Sequence, residues 1–131
     1  DWNGSSILSR EAIVPRITVG RDHRSLESLM NLFTELADAT LSEQVQTLLA
    51  RGGTRIERIV SRGQASPAGF WYEQAEHEWV VVLRGQARLN VAGQLHELRP
   101  GDALDLPAGC RHRVEWTTSE EPTIWLAVFY G

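Results

Sequence analysis

Lysine is absent from this 131-residue chain: all 13 cationic side chains are arginines. That excludes lysine Schiff-base catalysis and the phosphate-cradling lysine of a P-loop. Arginine is left as the permanent cation available to hold an anionic substrate. Cysteine is nearly absent too. Cys110 stands alone, so no internal disulfide can form and a disulfide-framework fold is excluded. No apolar run reaches the ~18 residues of a membrane helix, and the start of the chain lacks the charged-then-apolar pattern of a signal peptide. The expected setting is therefore cytoplasmic, with no membrane partner and Cys110 indifferent to reductant. An excess of positive charge is also missing. The formal net charge is −4, which argues against nucleic acid, because phosphate neutralisation needs a basic surface.

What remains is ordinary for one globular domain: 42% hydrophobic, 23% charged and 8% aromatic residues. The chain divides into two texts. Residues 1–53 read as an N-terminal arm. Ile13–Val19 is short and β-branched, an edge strand or extended arm in which Pro15 bars a central position. From Ser25 the apolar residues Leu26, Leu29, Met30, Phe33 and Leu36 fall at helical steps. A second helix is expected from Thr40 or Ser42 through Val45, Leu48 and Leu49 to a stop at Arg51-Gly52. The arm is expected to pack on the remaining domain or on a second copy of the chain.

Residues 54–131 contain only short strand-like segments separated by turns such as Arg84-Gly85-Gln86, Pro100-Gly101-Asp102 and Pro107-Ala108-Gly109. Seven or eight strands at regular spacing, with no helical crossover, predict an all-β sandwich or closed barrel.

Two segments carry a resemblance. Gly101, five residues, Pro107, Ala108, Gly109, two residues and His112 reproduce G-x5-P-x-G-x2-H, the second motif of the cupin superfamily, at every fixed position. Glu78 followed six residues later by Gly85 matches the end of the first motif, G-x5-H-x-H-x3-4-E-x6-G. Its histidine positions fall on Tyr72 and Gln74 with the shorter spacer, or on Trp71 and Glu73 with the longer one. The chain thus resembles the small single-domain bacterial cupins of RmlC-like type over roughly Arg55 to Tyr130. The resemblance implies a jelly-roll β-barrel with a pocket at its open end, here with an N-terminal helical arm. In cupins two histidines and the glutamate of the first motif, with the histidine of the second, bind one divalent metal. Glu78 and His112 stand at two of those places.

Strand alternation adds to this. Tyr72, Gln74, Glu76 and Glu78 share one parity, and Cys110, His112, Val114 and Trp116 share another. Gln74, Glu78 and His112 would form a mixed N/O site suited to Fe, Mn, Ni or Zn. Tyr72 would be the acid or base, since a phenol near a cation has a lowered pKa. Trp71, Glu73, Glu76, Cys110 and Trp116 complete the expected pocket. A bulge near His77 would present Glu73 in place of Gln74 and bring His77 in as a ligand. Cys110 reads either as a sulfur ligand or as a small buried hydrophobe. Arg111 and Arg113 are expected to point outward, and Arg58, Arg62 and Arg88 to be solvated. Two functions stand open. One is a metal-dependent enzyme of dioxygenase, lyase or isomerase type acting on a small organic molecule. The other is a metal-free small-molecule binding or sensor module, with Glu78 and His112 as a buried pair. A homodimer through barrel edges is expected in either case.

Overall fold

A computed structural model of the chain describes residues 29–131 and the backbone of Ile17–Thr18. The described residues form nine strands: β1 Ile17–Thr18, β2 Gln44–Arg51, β3 Thr54–Ser61, β4 His77–Arg84, β5 Ala87–Val91, β6 Gln94–Leu98, β7 Ala103–Leu106, β8 His112–Thr117 and β9 Thr123–Tyr130. They make a six-stranded sheet in the order β1-β2-β3-β9-β4-β7 and a three-stranded sheet in the order β6-β5-β8. The two sheets enclose a core of Val45, Ile59, Val80, Val82, Ala87, Leu89, Leu98, Leu106, Val114, Trp125, Ala127 and Phe129. Trp125 is fully buried, and its indole N–H donates to Ser61 Oγ at 3.1 Å, so its polar atom is satisfied inside the core.

The all-β expectation holds for the described residues, and the second expected helix does not. The segment from Gln44 to Arg51 is strand β2, antiparallel to β3, with Val45 in the core. The reason lies in Gly52, which reads with Arg51 as a helix stop but forms with Gly53 a two-residue hairpin turn. Both glycines have positive φ, +55° and +81°, and Arg51 pairs with Thr54 across the turn. This is the backbone twist that joins adjacent antiparallel strands. A bulge between Thr47 and Leu49 shifts the register by one residue, so Thr47 pairs with Glu57 and Leu49 with Ile56. Strand β2 therefore joins the sheet ahead of Thr54. The first expected helix is likewise not formed where the chain is described. Residues 29–36 contain a turn in which Asn31 Oδ1 accepts the Phe33 N–H at 2.8 Å. Residues 25–28 lie outside the described residues. Ile17–Thr18 is a strand, running parallel to β2 at the sheet edge, while the rest of the expected 13–19 segment is not described.

Two local features set the site. Gly85, the glycine six residues beyond Glu78, has φ +85°, and a Cβ there would lie against Thr123 Oγ1, 2.6 Å from Thr123 Cα and 2.8 Å from Pro122 O. No other residue fits this turn. In β8, the register against β5 shifts between Arg88 and Leu89, so Val114 pairs with Leu89 but Trp116 with Arg88. The inward series is then His112, Val114 and Thr117, all buried.

Candidate functional site

The segment from Tyr72 to Glu78 is not one flat strand. β4 begins only at His77, and residues Ala75 and Glu76 form a bend. What holds this segment in place is the second motif. Tyr72 and His112 exchange backbone hydrogen bonds in both directions, Tyr72 N–H to His112 O at 2.8 Å and His112 N–H to Tyr72 O at 3.1 Å. The Gly109 N–H donates to Gln74 O at 2.8 Å, and the Ala108 N–H to His77 Nδ1 at 2.9 Å. The Pro107–Gly109 turn thus stitches the two motifs together through main-chain groups and the His77 ring.

This stitching brings four of the expected residues into one buried cluster: Tyr72, Gln74, Glu78 and His112, none more than 4% exposed. The Tyr72 and His112 rings stack with centroids 5.4 Å apart and planes 20° from parallel. Gln74 Nε2 donates to Glu78 Oε1 at 2.7 Å, and His112 Nε2 lies 3.9 Å from the same oxygen. His112 Nδ1 faces the Cys110 carbonyl at 3.0 Å. A carbonyl only accepts, so Nδ1 carries the proton and the Nε2 lone pair points toward Glu78. Burial pulls the His112 pKa down, opposed by that carbonyl, and the ring is neutral at physiological pH. Burial pushes Glu78 up to about 8, with the Gln74 hydrogen bond opposing and the Glu57 carboxyl adding to the rise.

Three buried atoms in this cluster have no hydrogen-bond partner: Gln74 Oε1, Glu78 Oε2 and His112 Nε2. An orphaned buried polar atom costs about 1–3 kcal/mol, so three together mark a place built to hold something. The donors are one imidazole nitrogen, one carboxylate oxygen and one amide oxygen, and they suit a divalent transition metal. Among the described residues no group of three or more His, Cys, Asp or Glu side chains could hold a metal. The third donor here is an amide. Beside this cluster one guanidinium, Arg55, is paired with two carboxyls, Glu57 and Glu76.

The other expected pocket residues lie elsewhere. Trp71 is half-buried beneath Arg111, whose guanidinium carbon sits 4.4 Å from the ring centroid. Glu73 is exposed. Trp116 is turned away from His112 by the β8 bulge and stacks under Arg88. Cys110 contributes its carbonyl to His112, while partial burial and Asp105 push its thiol pKa up. His77 packs on Tyr130 and accepts from Ala108, away from Glu78. Arg58 is not solvated but buried, donating to the carbonyls of Leu32, Thr34 and Glu35 and to Gln46 Oε1. Glu76 reaches Arg55, a residue outside the expected pocket. Arg55 pairs with both Glu76 oxygens at 3.0 and 3.1 Å and with Glu57 at 3.0 Å, its guanidinium lying 4.3 Å from the Phe129 ring centroid. The signal for Arg55 and Glu57 was present. They share the parity of core residue Ile59 in β3, which places both on the inner face.

The Cupin domain family model matches residues 59–129. The chain belongs to the cupins. A solved structure from Ralstonia eutropha JMP134, described as a candidate mannose-6-phosphate isomerase, is 49% identical to this cupin. The match has a TM-score of 0.75 and covers 78% of this chain and 96% of that one. An RmlC-like cupin from Shewanella frigidimarina is 20% identical, with a TM-score of 0.62 over 84% of this chain and 91% of its own. A cupin superfamily protein from Desulfitobacterium hafniense is 17% identical, with a TM-score of 0.64 over 81% and 92%. These last two are alike in fold alone. No curated protein matches this cupin. Among the described residues, no helix is long and apolar enough to cross a membrane.

Proposed function

We propose that this cupin is a metal-dependent enzyme of isomerase type acting on a small organic molecule, with Gln74, Glu78 and His112 as the metal-holding residues. The observation that carries it is three buried polar atoms without a hydrogen-bond partner, Gln74 Oε1, Glu78 Oε2 and His112 Nε2, on side chains gathered around Glu78 Oε1. The printed description of the Ralstonia protein, 49% identical, favours isomerase chemistry over the dioxygenase and lyase alternatives. A divalent Fe, Mn, Ni or Zn ion bound there would supply Lewis acidity toward a substrate oxygen. The chain's own residues do the rest. His112 is held to one tautomer by the Cys110 carbonyl, and Gln74 fixes Glu78 Oε1 while Oε2 stays without a hydrogen-bond partner. Tyr72, clamped by its two backbone bonds to His112, offers its hydroxyl to give or take a proton. The Tyr72, Glu78 and His112 side chains, buried as they are, exclude bulk water from the reacting atoms.

A second reading has its own support. With Glu78 pushed up to about 8 and His112 pulled down, the pair is neutral without metal and could serve a binding module. Metal analysis of protein purified without chelator separates the two. Stoichiometric metal in the wild type, lost in Glu78→Ala and His112→Ala and weakened in Gln74→Ala, is the expected result. No metal and no uptake on addition would refute the enzyme reading. A homodimer and a cytoplasmic setting belong to the same proposal; light scattering should give about twice the 14.7 kDa chain mass.

A further inference from the structure

We infer that Arg55 is the anchor for a carboxylate group of the substrate, and that Glu76 occupies this anchor until the substrate displaces it. The inference rests on the reading that Gln74, Glu78 and His112 form the reaction centre.

Arg55 lies in the same transverse row as that centre. It pairs with Phe129 of β9, Phe129 pairs with Glu78 of β4, and Glu78 with Leu106 of β7. Directly paired residues present their side chains to one face, and Phe129, Glu78 and Leu106 are all buried. Arg55 and Glu78 therefore face the same interior, two strand spacings or roughly 10 Å apart at the backbone. Other arginines are committed to outward positions. Arg88 stacks on Trp116 and pairs with Glu97, Arg113 holds the carbonyls of Ser66, Pro67 and Phe70, and Arg58 holds those of Leu32, Thr34 and Glu35.

The way Arg55 is held defines what it takes. Its Nε side is bound to Glu57, whose side chain is only 2% exposed and stays in place. Its Nη1 and Nη2 grip the two Glu76 oxygens side by side, the forked geometry by which arginine recognises a carboxylate. Phe129 beneath the guanidinium fixes its plane. Glu76 sits on a bend and is 31% exposed, so it can turn out to water at little cost. Exchanging one carboxylate for another leaves the charge of the interior unchanged. The structure thus shows the anchor filled by an internal stand-in for the ligand.

Propionate tests this, being a carboxylate with no second donor. It is titrated calorimetrically into wild type, Glu76→Ala and Arg55→Lys, each checked by melting, with inorganic phosphate as the competing anion. Removing the internal competitor should tighten propionate binding about tenfold, and Arg55→Lys, which keeps the cation but loses the fork, should weaken it about tenfold. Equal affinity in wild type and Glu76→Ala would overturn the proposal, and so would absence of binding to Glu76→Ala at millimolar propionate. Wild-type affinity in Arg55→Lys would place the carboxylate elsewhere, and tighter binding of phosphate would overturn the carboxylate assignment. If Arg55→Lys does not fold, the comparison of Glu76→Ala with wild type still decides. Metal analysis of the same samples keeps the two proposals apart. Retained metal with no propionate effect refutes the anchor alone, and absent metal with the expected propionate series refutes the metal centre alone.

Discussion

Glu78 makes the chelator-treated protein lose stability as pH rises, by an amount that follows from its burial. Its pKa is about 8 in the folded chain against 4.5 when unperturbed. Between those values the folded state keeps a proton that the unfolded state has released, so stability is full below about pH 4.5 and falls until about pH 8. The size is on the order of 5 kcal/mol over the whole range, from the difference between the two values at 1.36 kcal/mol per unit, and about 4 kcal/mol between pH 5 and pH 8. Glu78→Gln removes the titration and keeps an oxygen to accept from Gln74 Nε2. His112 acts in the opposite direction. Its pKa is lowered, so its contribution is lost as pH falls, and because both proteins carry it the difference between them isolates Glu78. Thermal melts in chelator at about pH 5 and about pH 8 should show wild type falling relative to Glu78→Gln. At roughly 4 °C per kcal/mol for a chain of this size, the relative shift is roughly 15 °C. Parallel melting curves for the two proteins would refute the burial argument.

Gly85→Ala should destabilise by more than about 2 kcal/mol, because a methyl group there meets Thr123 and Pro122 while φ stays at +85°; a denaturant titration with an unchanged midpoint would contradict this. Trp125→Phe removes the indole bond to Ser61 and opens a core void, for a loss of about 1–3 kcal/mol by the same assay. Arg58→Ala should raise amide exchange in residues 32–35, which it ties to β3, while exchange in β4 and β9 stays slow. Trp116→Ala, on the outer face under Arg88, should leave metal content and propionate affinity at wild-type values.

The turns and motif spacings made most of the fold legible in the sequence. Pro107, Gly109 and His112 stand where their spacing places them, and with Glu78 they converge as the resemblance implies. Gln74 and Tyr72 fall on the histidine positions of the first motif with the shorter spacer and share the parity of Glu78, although the strand that the parity assumes is a bend. Three things were not legible. Arg51-Gly52 reads as a helix stop because Val45, Leu48 and Leu49 sit at helical spacing, and only pairing with β3 resolves that ambiguity. Trp116 was lost to a one-residue bulge, which reverses every side chain beyond it and leaves no mark in composition. Arg55 was overlooked because a basic residue in an apolar strand reads as solvated until its carboxylate partners are known.

The position of β9 has a consequence for how the chain is made. It is the last strand in sequence, yet it lies between β3 and β4 in the six-stranded sheet. Until Thr123–Tyr130 has left the ribosome, β1-β2-β3 and β4-β7 are two separate half-sheets with open inner edges, and Arg55 has no row to share with Glu78. The site therefore comes into being only when β9 docks, after the other described strands have been made and by pairings distant in sequence. Before that moment the half-sheets expose the edges that chaperones bind and that aggregation recruits. Substitutions in β9 should accordingly reduce the yield of soluble protein during expression more than they reduce the stability of molecules already folded.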